Sequence, residues 1–86
     1  MASVKTVTSV ATKIADQNSS RKGIILQSSA NVYVSFTGDA TVSSSTGFLL
    51  EDGVLVWFSD DEGRAKPAVY AITASGSATV KIEEVY

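Results

Sequence analysis

Asn31-Val32-Tyr33-Val34-Ser35-Phe36-Thr37 is the stretch that decides the fold. Side chains alternate across an extended strand, so Val32, Val34 and Phe36 share one face while Tyr33, Ser35 and Thr37 share the other. A helix would scatter the three apolar residues around its axis instead of gathering them on one stripe. Gly38-Asp39 closes the run with turn chemistry. The segment is a strand with one buried face.

Working outward, Gly23-Ile24-Ile25-Leu26-Gln27 is a second strand with Ile24 and Leu26 toward the core, and the Ser28-Ser29-Ala30-Asn31 turn between the two predicts a hairpin. Gly47-Phe48-Leu49-Leu50 and Val54-Leu55-Val56-Trp57-Phe58 flank Glu51-Asp52-Gly53. Asp-Gly between apolar runs is a strong hairpin signal, so these are expected to pair as well. A third pair is expected from Ala68-Val69-Tyr70-Ala71-Ile72-Thr73 and Ser77-Ala78-Thr79-Val80-Lys81-Ile82, joined at Ala74-Ser75-Gly76, where Gly76 supplies a positive φ. Ala78, Val80 and Ile82 alternate with Thr79, Lys81 and Glu83, the pattern of one buried and one wet face. Pro67, the sole proline, precedes this pair at a strand start, where it removes no central ladder bond.

No segment sustains apolar residues at i, i+3, i+4 and i+7, while Val, Ile and Thr abound. The fold class is therefore all-β: a small antiparallel β-sandwich or barrel of six to seven short strands, closed so that its edges are hidden. Residues 1–86 make one domain. In its first part, residues 1–16, Val7 falls out of phase with Val4, Val10 and Ile14, which suits either an edge strand or an arm that orders against a neighbour. The segments 37–46 and 59–66 read as loops.

The composition, 44% apolar and 19% charged, is globular, and 86 residues bury too small a share of their surface for high isolated stability. Association is a natural supplement. A net charge of -2 with no basic stripe argues against nucleic acid as a partner. With no Cys there are no disulfides, thiolate nucleophiles or usual structural zinc sites, and with no His the commonest general base and transition-metal ligand are missing. No run approaches the ~18 apolar residues of a membrane span, and the start lacks the pattern of a secretory signal. Asp60-Asp61-Glu62-Gly63 gathers carboxylates on a loop but lacks the alternating spacing of a calcium loop. Ser and Thr are plentiful, yet no partner activates one. Asn18-Ser19-Ser20 matches a glycosylation sequon and reads as a turn. No catalytic, cofactor or metal site is expected, and the chain is not expected to be an enzyme.

What remains is surface for binding other proteins. Arg21 and Lys22, at the start of the Ile24 strand, are candidates to meet acidic loops of a partner. Tyr33 and Trp57 lie off the core stripe of their strands. Because both faces of the 54–58 strand are apolar, Leu55 and Trp57 require cover from loops, from the N-terminal segment or from another subunit. The candidate interface is Val4, Val7, Arg21, Lys22, Tyr33, Leu55, Trp57, Asp60, Asp61 and Glu62.

Asn18-Ser19-Ser20-Arg21-Lys22-Gly23-Ile24-Ile25-Leu26-Gln27, then Val32-Tyr33-Val34-Ser35-Phe36, then Ala68-Val69-Tyr70-Ala71-Ile72-Thr73-Ala74-Ser75-Gly76-Ser77-Ala78-Thr79-Val80, together resemble a group of small structural proteins of tailed bacteriophages. Their layout is Asn-x-x-Arg-Lys, a strand, Val-Tyr-Val/Ile-x-Phe, an apolar hairpin, and Ala-Val/Ile-Tyr-Ala-Ile-x-x-x-Gly-x-Ala-x-Val. The likeness spans roughly residues 17 to 82 and describes mainly a β-sandwich and its turns. It implies a virion component with no catalytic residue: a head decoration or cement protein, or a small neck, tail or fibre module. The expected partners are the major capsid protein or another virion protein, and further copies of the chain. The alternative is a host-recognition module on a tail or fibre that binds carbohydrate through Tyr33, Trp57 and the acidic loop. The segment 59–66 is longer and more charged than the resemblance leads one to expect, which leaves the attachment site open.

Overall fold

The computed structural model describes residues 2–36, 38, 40–43, 45–59 and 67–86. They form eight strands and no helix: β1 (Ala2–Val7), β2 (Thr12–Ala15), β3 (Gly23–Ser28), β4 (Val32–Ser35), β5 (Phe48–Leu50), β6 (Leu55–Ser59), β7 (Val69–Ile72) and β8 (Ala78–Val85). Sheet A has the order β1-β8-β3-β6 and sheet B the order β2-β7-β4-β5, with every strand pairing antiparallel.

These orders have one origin. β1 pairs with β8, β2 with β7, β3 with β6 and β4 with β5, so the first half of the chain lies against the second as a single long hairpin. Its tip lies between β4 and β5. Rolling that ribbon sends successive strands of each half to alternate sheets, which is the wiring of a jelly-roll β-sandwich.

The strand positions expected from the sequence hold, but the strands number eight and not six to seven, because residues 1–16 supply two, and three expected pairings do not form. β3 and β4, β5 and β6, and β7 and β8 each lie in different sheets, so none is a hairpin. The turn signals between them are corners of the roll, where both halves of the ribbon bend together. At one corner the Gly53 N–H donates to Ser28 O (2.9 Å) and the Asp52 N–H to Asn31 Oδ1 (2.9 Å). At another the Thr73 N–H donates to Thr8 O (2.9 Å), and buried Thr73 satisfies its own hydroxyl on Gly76 O. Gly53 and Gly76 have φ near +77° and +72°, so each corner uses a glycine for a backbone that other L-residues avoid.

The core lies between the sheets. Ile24 and Leu26 of β3 and Val80 and Ile82 of β8 face Val32 and Val34 of β4 and Val69 and Ala71 of β7, all buried. Burial of each Val, Leu or Ile is worth about 1.5–3 kcal/mol, so this two-layer stripe is the main force holding the roll. The N-terminal segment is not a free arm: β1 adds to sheet A and β2 to sheet B as edge strands. Val7 and Ile14 both enter the core, each from its own sheet.

Candidate interaction surface

Arg21 is placed where the sequence did not lead. Its side chain is 0% exposed, at the corner where the chain leaves β2 for β3 and where Pro67 leads into β7. The guanidinium donates to Asp16 O (2.9 Å) and Pro67 O (2.9 Å), and pairs with the Glu84 carboxylate of β8. A planar fork of five donors suits such a cluster of oxygens. Arg21 is thus an internal brace across the roll, and its earlier assignment to a partner interface is corrected. The preceding turn is held by the Ser20 N–H on Asn18 Oδ1 (2.9 Å) and the Arg21 N–H on Asn18 O (3.2 Å). The turn expected at Asn18-Ser19-Ser20 is present. Lys22 beside it remains exposed, its N–H donating to Val85 O (2.7 Å).

Val7 is likewise corrected to a core residue, because its register opposite Ala78 turns it inward while Val4, opposite Lys81, turns outward and is exposed. Tyr33 is half-buried in β4 between Leu49 and Ile72 on the outer side of sheet B. Trp57 belongs to the outer side of sheet A, with Ile25 of β3 and Glu83 of β8 in line with it. The sandwich therefore separates Tyr33 from Trp57. Asp60, Asp61 and Glu62 lie outside the described residues.

Three of the sequence candidates do share a surface. On the outer side of sheet A, Leu55, Gln27, Lys81 and Val4 form one cross-strand row, parallel to the row of Trp57, Ile25 and Glu83. Leu55 is 62% and Trp57 65% exposed, so no described residue covers them. Between the rows runs an open groove of about 360 Å³, bounded by Val4, Ile25, Leu55 and the stems of Lys81 and Glu83.

The surface continues where sequence reasoning did not follow. β5 and β6 are the edges of sheets B and A, joined by the corner 51–54. Phe48 is 73% exposed although its register opposite Val34 sets it on the inner side, and Leu49 and Val54 are exposed too. A cleft of about 30 Å³ opens beside them, reaching Leu26, Val34 and Val56, so the core is not fully sealed here. The signal for Leu49 was present: three consecutive large apolar residues in β5 cannot all face one core, and alternation turns the middle one outward.

Charge at the opposite edge is handled by pairing in water. Lys13 Nζ lies 2.9 Å from Asp16 Oδ1 with both side chains largely exposed. That hydrogen bond, reinforced by the opposite charge, raises the Lys13 pKa and lowers that of Asp16. Among the described residues no group of three His, Cys, Asp or Glu is placed to hold a metal ion. No described helix is long and apolar enough to cross a membrane, which says nothing of membrane β-barrels. No family model, curated protein or solved structure matches the chain.

Proposed function

We propose that the chain is a virion structural protein of a tailed bacteriophage, a capsid decoration protein that docks on the outer shell and braces it. The observation that carries this reading is the concentration of exposed large apolar side chains, Phe48, Leu49, Val54, Leu55 and Trp57, at one edge and the adjoining face of a small sandwich. Contiguous patches of this kind mark surfaces that another protein covers. The jelly-roll wiring is compatible, since that architecture recurs in capsid proteins, though it also serves lectins and enzymes and so decides nothing alone. Mechanistically, each copy would bridge neighbouring shell subunits, and many weak contacts on a symmetric lattice sum to high resistance against internal pressure.

The test is to strip the protein from particles that carry it and add it back. Hundreds of copies per particle, a stripped shell that fails at lower temperature, and rescue by wild type but not by folded Trp57→Ala support the reading. A handful of copies per particle, or a stripped shell of unchanged heat resistance, would sink it.

A second reading is favoured by one feature, the exposed Trp57 on the same face as a groove carrying Gln27, Lys81 and Glu83. An aromatic face with polar groups alongside is suited to a sugar ring. The companion residue expected for that platform, Tyr33, is on the other side of the sandwich, so Trp57 would act without it. Binding of isolated host-surface glycans by the free protein would favour this module over the decoration protein.

A further inference from the structure

We propose that two copies of this chain pair antiparallel through their β6 edges, joining their A sheets into one eight-stranded sheet about a two-fold axis beside Trp57. This deepens the preceding reading by naming the chain itself as the occupant of the β6 edge, and it rests on that edge being a protein-binding surface.

The four edges of the sandwich are unlike. An exposed edge strand offers unpaired N–H and C=O groups to any other strand, and proteins obstruct this with charges, prolines or bulges. β1 carries Lys5, and β2 carries Lys13 together with a register shift between Lys13 and Ala15. β5 and β6 carry no charged residue, no proline and no bulge. Of these two, β6 is the longer, and no strand among the described residues pairs with its outer side.

A second copy fits this edge on grounds of charge and symmetry. Leu55–Ser59 is uncharged, so within these five residues an antiparallel copy sets no like charges opposite each other. Full overlap of the five residues puts the axis at the middle one, with Leu55 opposite Ser59, Val56 opposite Phe58 and Trp57 opposite its own copy. A cross-strand aromatic pair at non-polar positions is among the more favourable sheet contacts. Because the contact is isologous it closes as a dimer and leaves no open filament. Leu49 is on the outer side of sheet B, and Leu55 and Trp57 stand on the outer face of the joined sheet, so a pair buries only the flanks that meet across the edge, less than the ~1,000 Å² of a stable specific interface, and the pairing is weak. A concentration-dependent dimer is expected, with the groove face left free for the shell.

Sedimentation equilibrium of the full chain, from low micromolar to near-millimolar concentration, tests this. Wild type should pass from monomer to dimer and no further, and Leu55→Lys should raise the dissociation constant at least tenfold while its circular dichroism spectrum stays native. Since the chain has no cysteine, Trp57→Cys should oxidise to a disulfide-linked dimer and Val4→Cys, on the far edge, should not. A wild type that stays monomeric throughout overturns the proposal, as does a dimer indifferent to Leu55→Lys or crosslinked equally through Val4→Cys. Shell binding by a strictly monomeric chain would defeat the pairing alone. Dimerisation without shell binding would defeat the decoration reading alone.

Discussion

Two regions of this sandwich invert the usual rule of polar outside and apolar inside, and they do so in opposite directions. At the Arg21 corner a charged side chain is wholly buried, yet its guanidinium meets two backbone carbonyls and a carboxylate. At the β5–β6 edge large apolar side chains are left exposed by the described residues. A buried ion with all its partners present is complete; an exposed Trp and Phe pair is not. The contrast assigns structural work to the first region and intermolecular work to the second.

The most severe way to break the comparison is at Arg21. Arg21→Met takes the guanidinium away from the Glu84 carboxylate and two carbonyls, and loss of one member of a buried pair typically costs about 3–5 kcal/mol. Denaturant unfolding should show a loss of that order, while the same measurement finding less than about 1 kcal/mol would mean the corner is dispensable.

The comparison is sharpened by removing the same side chain from the two sides of sheet A. Leu26→Ala opens a cavity in the core and should cost about 2–5 kcal/mol. Leu55→Ala, one strand away and mostly exposed, should change monomer stability by less than about 0.5 kcal/mol. Equal costs for the two would show that Leu55 is covered within the monomer.

Gly47→Ala probes how β5 is held. A Cβ built there meets Tyr33 Cβ at 2.8 Å and Val42 Cγ2 at 2.9 Å, so the loop tip must shift, at about 1–3 kcal/mol. Thermal melting should register that loss, and an unchanged melting temperature would mean the 42–47 segment yields freely.

The smallest effect belongs to the exposed Lys13–Asp16 pair, which shares its charges with the Arg21–Glu84 pair but not its burial. Asp16 has a lowered pKa, so its contribution is present above the unfolded value and fades as pH falls through the folded one. Lys13 has a raised pKa, so its contribution is present below the unfolded value and fades as pH rises through the folded one. Both hold near neutral pH, where Lys13→Ala should lower the melting temperature only marginally and not at all in high salt. A large, salt-insensitive drop would contradict this.

The strands themselves were legible because alternation is local: the inward set Ile24, Leu26, Val32, Val34, Val80 and Ile82 is as the period of two requires. Their partners were not. A Gly in a turn reports that the backbone bends with positive φ, and Gly53 and Gly76 do so, but it does not report whether the flanking strands bond to each other or part to separate sheets. That choice is made by pairing between residues far apart, such as Ala2 with Glu83. Arg21 was misplaced for the same reason, since the carboxylate that makes its burial tolerable is 63 residues away. Trp57 and Leu55 were found because both faces of their strand are apolar, whereas Phe48 was overlooked at the end of a strand too short to show a pattern.

The chain contains a single Trp, so its fluorescence reports on the β6 edge alone. In dilute protein Trp57 should emit as a water-exposed indole and be readily quenched by a soluble quencher. Its emission should move to the blue, with quenching suppressed, when the protein associates with itself or with shells. Blue, protected emission already in the dilute monomer, or emission unchanged on binding, would contradict the assignment of this edge to docking.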